Sequence, residues 1–171
     1  MAVPAGYQQT AVPPAEARAA RLEVEEFHAR YCRVLDQGDL EEWPAFFLED
    51  CLYLVTAREN AEAGLPVGLV YAEGRAMIRD RAFAVKHTQM FAPRYMQHMV
   101  TNVIILAAGG GEIRAQSSYL LLQTLVDGPT TIQQAGRYFD TFRRQGDALL
   151  IRERRCIYDT TLIANDLVFP V

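Results

Sequence analysis

The stretch Gly136–Asp159, GRYFDTFRRQGDALLIRERRCIYD, decides how the rest of the chain folds. Its two arms flank the turn Gln145–Asp147, and in each arm the residues alternate between two sets. The first arm sets Tyr138, Asp140 and Phe142 against Arg137, Phe139 and Thr141, and the second sets Leu149 and Ile151 against Arg152 and Arg154. Period-two alternation around a Gly-containing turn is typical of a β-hairpin. Both arms exceed the usual ~5–6 residues of a strand, which predicts a long, twisted and bulged sheet.

The chain has a size and composition typical of one globular domain. It contains 171 residues, of which 50% are hydrophobic and 22% charged, enough for a single buried core. Residues 1–14 are rich in Pro, Gly, Ala and Gln, which predicts a flexible N-terminal arm. Residues 15–171 are predicted to form a single domain.

Charge and hydrophobicity argue against nucleic-acid and membrane partners. The net charge is −4, and the basic residues form no patch suited to phosphate or to anionic lipid. The apolar run Val103–Ala108 is far shorter than the ~20 residues of a spanning helix, and no targeting pattern opens the chain. We therefore expect a cytoplasmic protein. Cys32, Cys51 and Cys156 are scattered, which predicts buried thiols rather than disulfides or a metal knuckle.

The order of elements predicts an α+β fold, with helices first and strands after them. Apolar residues recur at three- and four-residue steps from Ala20 to Leu35, and Gly38 ends this first helix. A short second helix carries Trp43, and a third covers the region from Ala76 to Val85. Strands are expected at 51–57, 67–71, 95–107 and 112–126, followed by the hairpin. This pattern predicts a curved antiparallel sheet with the N-terminal helices packed on one face, which leaves a cone-shaped cavity between the two layers.

Four blocks of the sequence together resemble one known family. They are LDQGDLEEWPAFFLEDCLYLV (35–55), GLVYAEGRAMIRDR (68–81), RYMQHMVTNV (94–103) and the hairpin stretch 136–159. In this order and at this spacing they resemble the small (β) subunit of Rieske-type aromatic-ring-hydroxylating oxygenases. The resemblance covers the chain from about Val24 to about Leu162.

The resemblance implies a fold, a partner and cofactors. The fold is the cystatin-like cone shared with nuclear transport factor 2-like proteins. The partner is a catalytic α subunit in an α3β3 hexamer, with additional β–β contacts. The α subunit would carry a Rieske [2Fe–2S] cluster and a mononuclear non-haem iron, supplied with electrons from NADH through a separate reductase. Within the family, Glu42–Pro44, Phe46–Phe47 and Arg58–Asn60 are closest to subunits of enzymes that act on benzoate-like acids. The β subunit itself is expected to be structural.

The chemistry present in the chain agrees with a subunit that holds no iron. A Rieske cluster needs two Cys and two His ligands, and a mononuclear iron of this class needs two His and one carboxylate. His28, His87 and His98 stand on different predicted elements, and no Cys has a His two residues away. The sequence therefore predicts no metal site in this chain.

A small enzyme that uses the cone cavity is the main alternative. Cone-fold isomerases and dehydratases place an Asp or His base among apolar walls beside a Tyr donor. Here His28, Tyr31 and Asp36 lie along the first helix, and Tyr53 lies on a strand. The more ordinary interpretation makes Tyr31 a core residue and Asp36 a solvated residue of the last helical turn. His98 and Asn102 are expected to share a strand face as a hydrogen-bonded pair at the edge of the core. A binding protein without chemistry is a third possibility.

The arginines of the hairpin have two interpretations. They form either a solvated strand face or a subunit interface, where the planar guanidinium pairs with carboxylates and stacks on aromatic rings. The interface candidates are Arg81, Arg94, Tyr95, Arg137, Asp140, Arg152 and Arg154. If Arg154 lies at such an interface, reversing its charge should weaken assembly more than folding.

Overall fold

A computed structural model of the chain describes residues 3–163 and 168–171. The helices are α1 (Pro14–Gln37), α2 (Arg58–Glu62) and α3 (Arg75–His87), with a 3-10 turn at Trp43–Phe46. The strands are β1 (Phe47–Ala57), β2 (Val70–Glu73), β3 (Arg94–Gly109), β4 (Glu112–Leu125), β5 (Thr130–Gln145) and β6 (Ala148–Tyr158). The predicted α+β class is confirmed, and no helix in these ranges is long and apolar enough to cross a membrane.

The strands form one sheet in the order β2-β1-β6-β5-β4-β3. Strands β3 to β6 make the predicted antiparallel meander, and β2 pairs antiparallel with β1. Strand β1 is parallel to β6, with Leu52 opposite Glu153 and Val55 opposite Cys156. Strands β1 and β6 start at the same end of the sheet, since Phe47 lies opposite Ile151, and they therefore run in the same direction.

Helix α1 covers the concave face of the sheet. Its buried stripe includes Val24, Phe27, Tyr31 and Leu35, which are at most 1% exposed. A fully buried side chain of this size contributes roughly 1.5–3 kcal/mol, so this stripe is a large part of the core energy. The helix ends at Gly38, whose φ of 78° lies in the left-handed region that Gly adopts without strain.

Two local predictions are corrected by the structure. The predicted short second helix is not an α-helix, because the residues from Trp43 to Phe46 form only a 3-10 turn. Strand β1 therefore starts at Phe47. Part of the predicted loop after β1 is the five-residue helix α2.

Bulges change which side chains face the core. The β5–β6 register shifts between Thr141 and Phe142, so that Phe142 lies opposite Ile151 and Thr141 opposite Glu153. The extra residue on β6 is Arg152, and beyond it the alternation is inverted. Arg154 consequently points into the core, at 0% exposure.

The N-terminal arm lies on the convex face of the sheet. Tyr7 is 3% exposed and packs with Leu106, Phe139 and Ile157 in a small second core. The Tyr7 hydroxyl lies 3.1 Å from Thr141 Oγ1, and the Thr10 N–H donates to the Leu106 oxygen at 2.8 Å. The structure thus gives residues 3–13 a docked position, while the flexibility of segment 1–14 stays a prediction.

Candidate functional site

A buried ion pair stands at the centre of the cone. Arg154 of β6 and Asp140 of β5 face each other across the hairpin, and both side chains are 0% exposed. The Arg154 Nε and Nη2 atoms donate to the two Asp140 carboxylate oxygens at 2.8 and 2.9 Å. Two parallel bonds of this kind fix the orientation of both groups. Desolvation disfavours the Arg154 cation, but Asp140 together with Tyr31 and Tyr138 keeps the pKa of Arg154 well above its ordinary value.

Aromatic rings hold the guanidinium on both faces. The Arg154 Cζ atom lies 4.3 Å from the ring centroid of Tyr31 and 4.3 Å from that of Tyr138. Each such contact adds roughly 0.5–2 kcal/mol when water is excluded. Within the described residues, Arg154 Nη1 and the Tyr138 hydroxyl lack a hydrogen-bond partner. The interior therefore retains polar capacity that the protein itself does not fully use.

His28 of α1 completes this group as a neutral imidazole. Its Nδ1 atom lies 3.2 Å from Arg154 Nη2 and accepts a hydrogen bond from it, because the guanidinium can only donate. Its Nε2 atom then carries the proton and lies 3.2 Å from Ser117 Oγ. Burial, followed by the Arg154 charge, lowers the pKa of His28 well below its ordinary value.

Tyr31 and Tyr53 meet at the last described residue of the chain. Both hydroxyls donate to the Val171 main-chain oxygen, at 3.2 Å from Tyr31 and 3.1 Å from Tyr53. The Val171 N–H donates to the Tyr53 hydroxyl at 2.8 Å, and Trp43 Nε1 donates to the Tyr31 hydroxyl at 2.9 Å. Burial raises the pKa of both tyrosines, so the two groups are hydrogen-bond donors and not bases.

Asp36 binds His98 at the rim of the cone. An Asp36 carboxylate oxygen lies 2.6 Å from His98 Nδ1, and both carboxylate oxygens accept from the His98 N–H at 3.0 and 3.1 Å. The His98 Nε2 atom faces the Pro170 oxygen at 3.2 Å. Each ring nitrogen thus faces an acceptor. No local pattern could predict this pairing, because Asp36 and His98 are 62 residues apart in the chain.

The four residues of the pocket hypothesis are brought to one cone. His28 and Tyr31 both contact Arg154, and Tyr31 and Tyr53 both donate to the Val171 oxygen. Asp36 contacts His98, whose other ring nitrogen faces the Pro170 oxygen. The expected pair of His98 with Asn102 is wrong. A register shift between Thr101 and Ile104 places Asn102 on the exposed side with a φ of 54°. The same bulge leaves Ile104 43% exposed, away from the face that holds His98.

The structure corrects two members of the interface set. Arg154 and Asp140 lie wholly inside the chain and present no side-chain atom to another subunit. Arg152 is exposed, and Tyr95 is 70% exposed. Arg81, Arg94 and Arg137 are partly exposed, and Arg137 lies 3.5 Å from Asp159. The interface role of these five residues stays a prediction.

The described residues do not fit an iron centre. No group of three His, Cys, Asp or Glu side chains among them could hold a metal ion. His87 is on the exposed side of α3 beside Glu41, whereas His28 and His98 are buried. The three cysteines are free and buried, as predicted.

Comparisons with known proteins agree on one family. Residues 30–165 match the model of the ring hydroxylating beta subunit family. The chain is 39% identical over 142 residues to the anthranilate 1,2-dioxygenase small subunit of Burkholderia cepacia, covering 83% of this chain and 88% of that one. It is 27% identical over 150 residues to the terephthalate 1,2-dioxygenase terminal oxygenase component subunit beta 2 of a Comamonas species, covering 88% and 97%.

A solved structure gives the same answer. The crystal structure of a β subunit provisionally assigned to an aromatic-ring-hydroxylating dioxygenase of Novosphingobium aromaticivorans superimposes with a TM-score of 0.83. The identity is 37%, and the match covers 91% of this chain and 99% of that one. With its cone fold, its sequence and its relatives in agreement, the chain belongs to the ring hydroxylating β subunits, oxidoreductase components of aromatic-ring dioxygenases.

Proposed function

We propose that this chain is the structural β subunit of an α3β3 ring-hydroxylating oxygenase and carries no catalytic residue of its own. The observation that carries the proposal is the family match over residues 30–165. In this assembly the chain holds the catalytic α subunits in register and makes β–β contacts. The three free, buried cysteines suit the reducing cytoplasm, where we place the complex.

The iron chemistry is assigned to the partner. The described residues of this chain offer no ligand set for a Rieske [2Fe–2S] cluster or for a mononuclear iron. We therefore place both centres in the α subunit, with electrons delivered from NADH by a separate reductase. This division gives the β subunit a structural role, which agrees with an interior held by one buried ion pair and a hydrophobic core.

The substrate is proposed to be an aromatic carboxylic acid of the benzoate type. Two relatives are named for reactions on anthranilate and on terephthalate, and both compounds are aromatic carboxylates. The 39% identity to the anthranilate enzyme subunit puts an aminobenzoate first among the acids to test.

The contact surface is proposed to include Arg81, Arg94, Tyr95, Arg137 and Arg152. Tyr95 is the clearest candidate, because a large aromatic side chain 70% exposed in the monomer is the kind of group that interfaces bury. Arg152 is exposed at the bulge of β6, where its guanidinium can reach a carboxylate of another subunit.

Purification of the tagged chain from its native host tests the subunit role. We expect it to elute with a larger, brown, iron-containing chain at the mass of a hexamer. A colourless, iron-free species of this chain alone, stable on dilution, would refute the proposal. Activity of the recovered complex on anthranilate, terephthalate and benzoate then tests the substrate class separately.

Surface variants test the interface residues. Tyr95→Ala and Arg152→Glu should shift the complex toward free subunits and leave the urea midpoint of the isolated chain unchanged. Arg33→Glu, on the exposed side of α1, is the matched control for charge reversal. A full hexamer with both variants, equally resistant to salt, would exclude these two positions from the interface.

A further inference from the structure

The segment Val168–Val171 occupies the interior of the cone. Pro170 and Val171 are buried, with Val171 at 0% exposure, and Val168 and Phe169 are half-buried. Phe169 packs edge-on against Phe91, with ring centroids 5.3 Å apart. Arg81 Nη2 donates to the Val168 oxygen at 3.1 Å. This segment is therefore held as a guest molecule would be held, by apolar walls and a few directed hydrogen bonds.

The groups that bind Val171 form a receptor for an oxygen acceptor. Two tyrosine hydroxyls, from Tyr31 and Tyr53, converge on one main-chain oxygen, and His98 Nε2 faces the next oxygen at 3.2 Å. The walls are aromatic, since Trp43 and Tyr53 meet edge to face with centroids 5.3 Å apart. If the segment left, the tyrosine hydroxyls would lose their acceptor in a buried setting, which is unfavourable unless water or a ligand replaces it.

The local charge favours an anionic guest. Asp140 is paired with Arg154, and Asp36 is hydrogen-bonded to His98. Arg81 adds a positive charge, and no carboxylate within salt-bridge distance balances it in the part of the chain that the structure describes. Burial raises the pKa of Tyr53, and the Arg81 charge opposes that rise only slightly.

From this arrangement we propose that the interior of the cone is a binding site for a small carboxylate on an apolar body, occupied in cis by Val168–Val171. The carboxylate takes the place of the Val171 main-chain oxygen on Tyr31 and Tyr53, and the apolar body takes the place of the Phe169 and Val171 side chains. The site belongs to this chain alone and is independent of any iron in a partner.

A carboxylate ligand would have to compete with the segment Val168–Val171 for the same donors. A tethered segment competes at an effective concentration in the millimolar range. A weak carboxylate therefore binds the intact chain poorly, and removal of the segment should reveal its full affinity. This competition would hide the site from an ordinary ligand screen of the intact protein.

The first experiment compares the full chain with a variant lacking everything from Val168 onward, using benzoate as the probe in calorimetric titrations. We expect benzoate to bind the shortened chain at least about tenfold more tightly than the full chain, and benzamide, its neutral isostere, to bind more weakly than benzoate. In the shortened chain Tyr31→Phe and Tyr53→Phe should each weaken benzoate binding about tenfold, as expected for a hydrogen bond to a charged acceptor. Tyr71→Phe, at an exposed position on β2, is the matched control.

A second measurement uses the unaltered protein, so that a folding defect of the shortened chain does not decide the question. Amide hydrogen exchange of Val171 should accelerate when millimolar benzoate is added, because benzoate displaces the N–H from the Tyr53 hydroxyl. Equal amounts of benzamide should have a smaller effect. A folded shortened chain that binds no benzoate, or a Val171 amide that benzoate leaves unchanged in the full chain, overturns the proposal.

Discussion

Replacement of Arg154 by Met tests whether the central ion pair stabilises the fold. The change removes both hydrogen bonds to Asp140, at 2.8 and 2.9 Å, and leaves a carboxylate at 0% exposure without its counter-charge. Removal of one partner of a buried pair costs about 3–5 kcal/mol. The two ring contacts at 4.3 Å are lost as well, although the Met side chain refills part of the space between Tyr31 and Tyr138. We therefore expect the free energy of unfolding to fall by about 4 kcal/mol.

Urea unfolding of the isolated chain measures this loss. With a slope of about 2 kcal/mol per molar urea, typical of a domain of this size, the midpoint should fall by about 2 M. The double variant Arg154→Met with Asp140→Leu removes both charges, and we expect it to recover at least about half of the loss. Arg152→Met, two residues away but exposed, is the matched control and should change the free energy of unfolding by less than about 0.5 kcal/mol.

If the losses of the Arg154 and Asp140 single variants add to within about 0.5 kcal/mol in the double variant, the two groups do not form a stabilising pair, since residues in direct contact should couple. The sequence-based expectation that charge reversal at Arg154 affects assembly more than folding is also corrected by this geometry. A glutamate at position 154 would face Asp140 inside the core, so folding fails before any interface is tested.

Three further predictions concern pH, backbone packing and thiols. Burial and the Arg154 charge lower the pKa of His28 in the folded chain. Below pH about 6.5, the ordinary pKa of a histidine, His28 is therefore protonated in the unfolded chain but not in the folded chain. The free energy of unfolding consequently falls as the pH falls. From pH 7.5 to pH 5.5 this group should cost about 1.4 kcal/mol in urea unfolding, and a His28→Gln variant that keeps the full slope would contradict it. Gly136→Ala should destabilise by about 2–3 kcal/mol, because its Cβ would lie 2.2 Å from the Ile157 oxygen. Gly128→Ala should cost under about 1 kcal/mol in the same assay, because its Cβ would lie 3.3 Å from Leu125 Cβ, and a shift of a few tenths of an ångström relieves that contact. Burial raises the pKa of Cys32 to about 12 and that of Cys51 to about 11, and it also raises the pKa of Cys156. A disulfide reagent should therefore label three thiols in denaturant and none rapidly in the native chain. Fast labelling of the native chain would contradict this, because it would show that the thiols are accessible.

The regular elements could be predicted from the sequence because local pattern determines them. The three- and four-residue spacing from Ala20 to Leu35 requires an amphipathic helix, and Gly38 is suited to end it. The alternation in Gly136–Asp159 and the turn at Gly146 likewise required a hairpin, which the structure shows as β5 and β6. The parallel pairing of β1 with β6 depends on contacts between distant parts of the chain, so no local pattern contains it.

The side chains that face the cone were harder to predict than the elements, because a bulge of one residue reverses which side chains of a strand face the core. The extra residue at Arg152 turns Arg154 inward, and the bulge near Asn102 turns that side chain outward. A strand that slips by one residue exchanges its two faces, so strict alternation placed both residues on the wrong side. A signal for the inward arginine did exist, since Asp140 falls among the apolar residues of the first arm, where an unpaired carboxylate would be costly.

The buried ion pair and the bound segment together account for an interior that is polar and yet filled. Arg154, Asp140 and His28 satisfy most of one another's polar atoms, so the Asp140 carboxylate is not free to act as a general base. Tyr31 and Tyr53 instead donate to the Val171 main-chain oxygen. Hydroxyl donors beside a carboxylate that is already paired are suited to binding an anion rather than to abstracting a proton. The cone of this β subunit is therefore better explained as a scaffold with a carboxylate receptor inside it than as the active site of a dehydratase or isomerase.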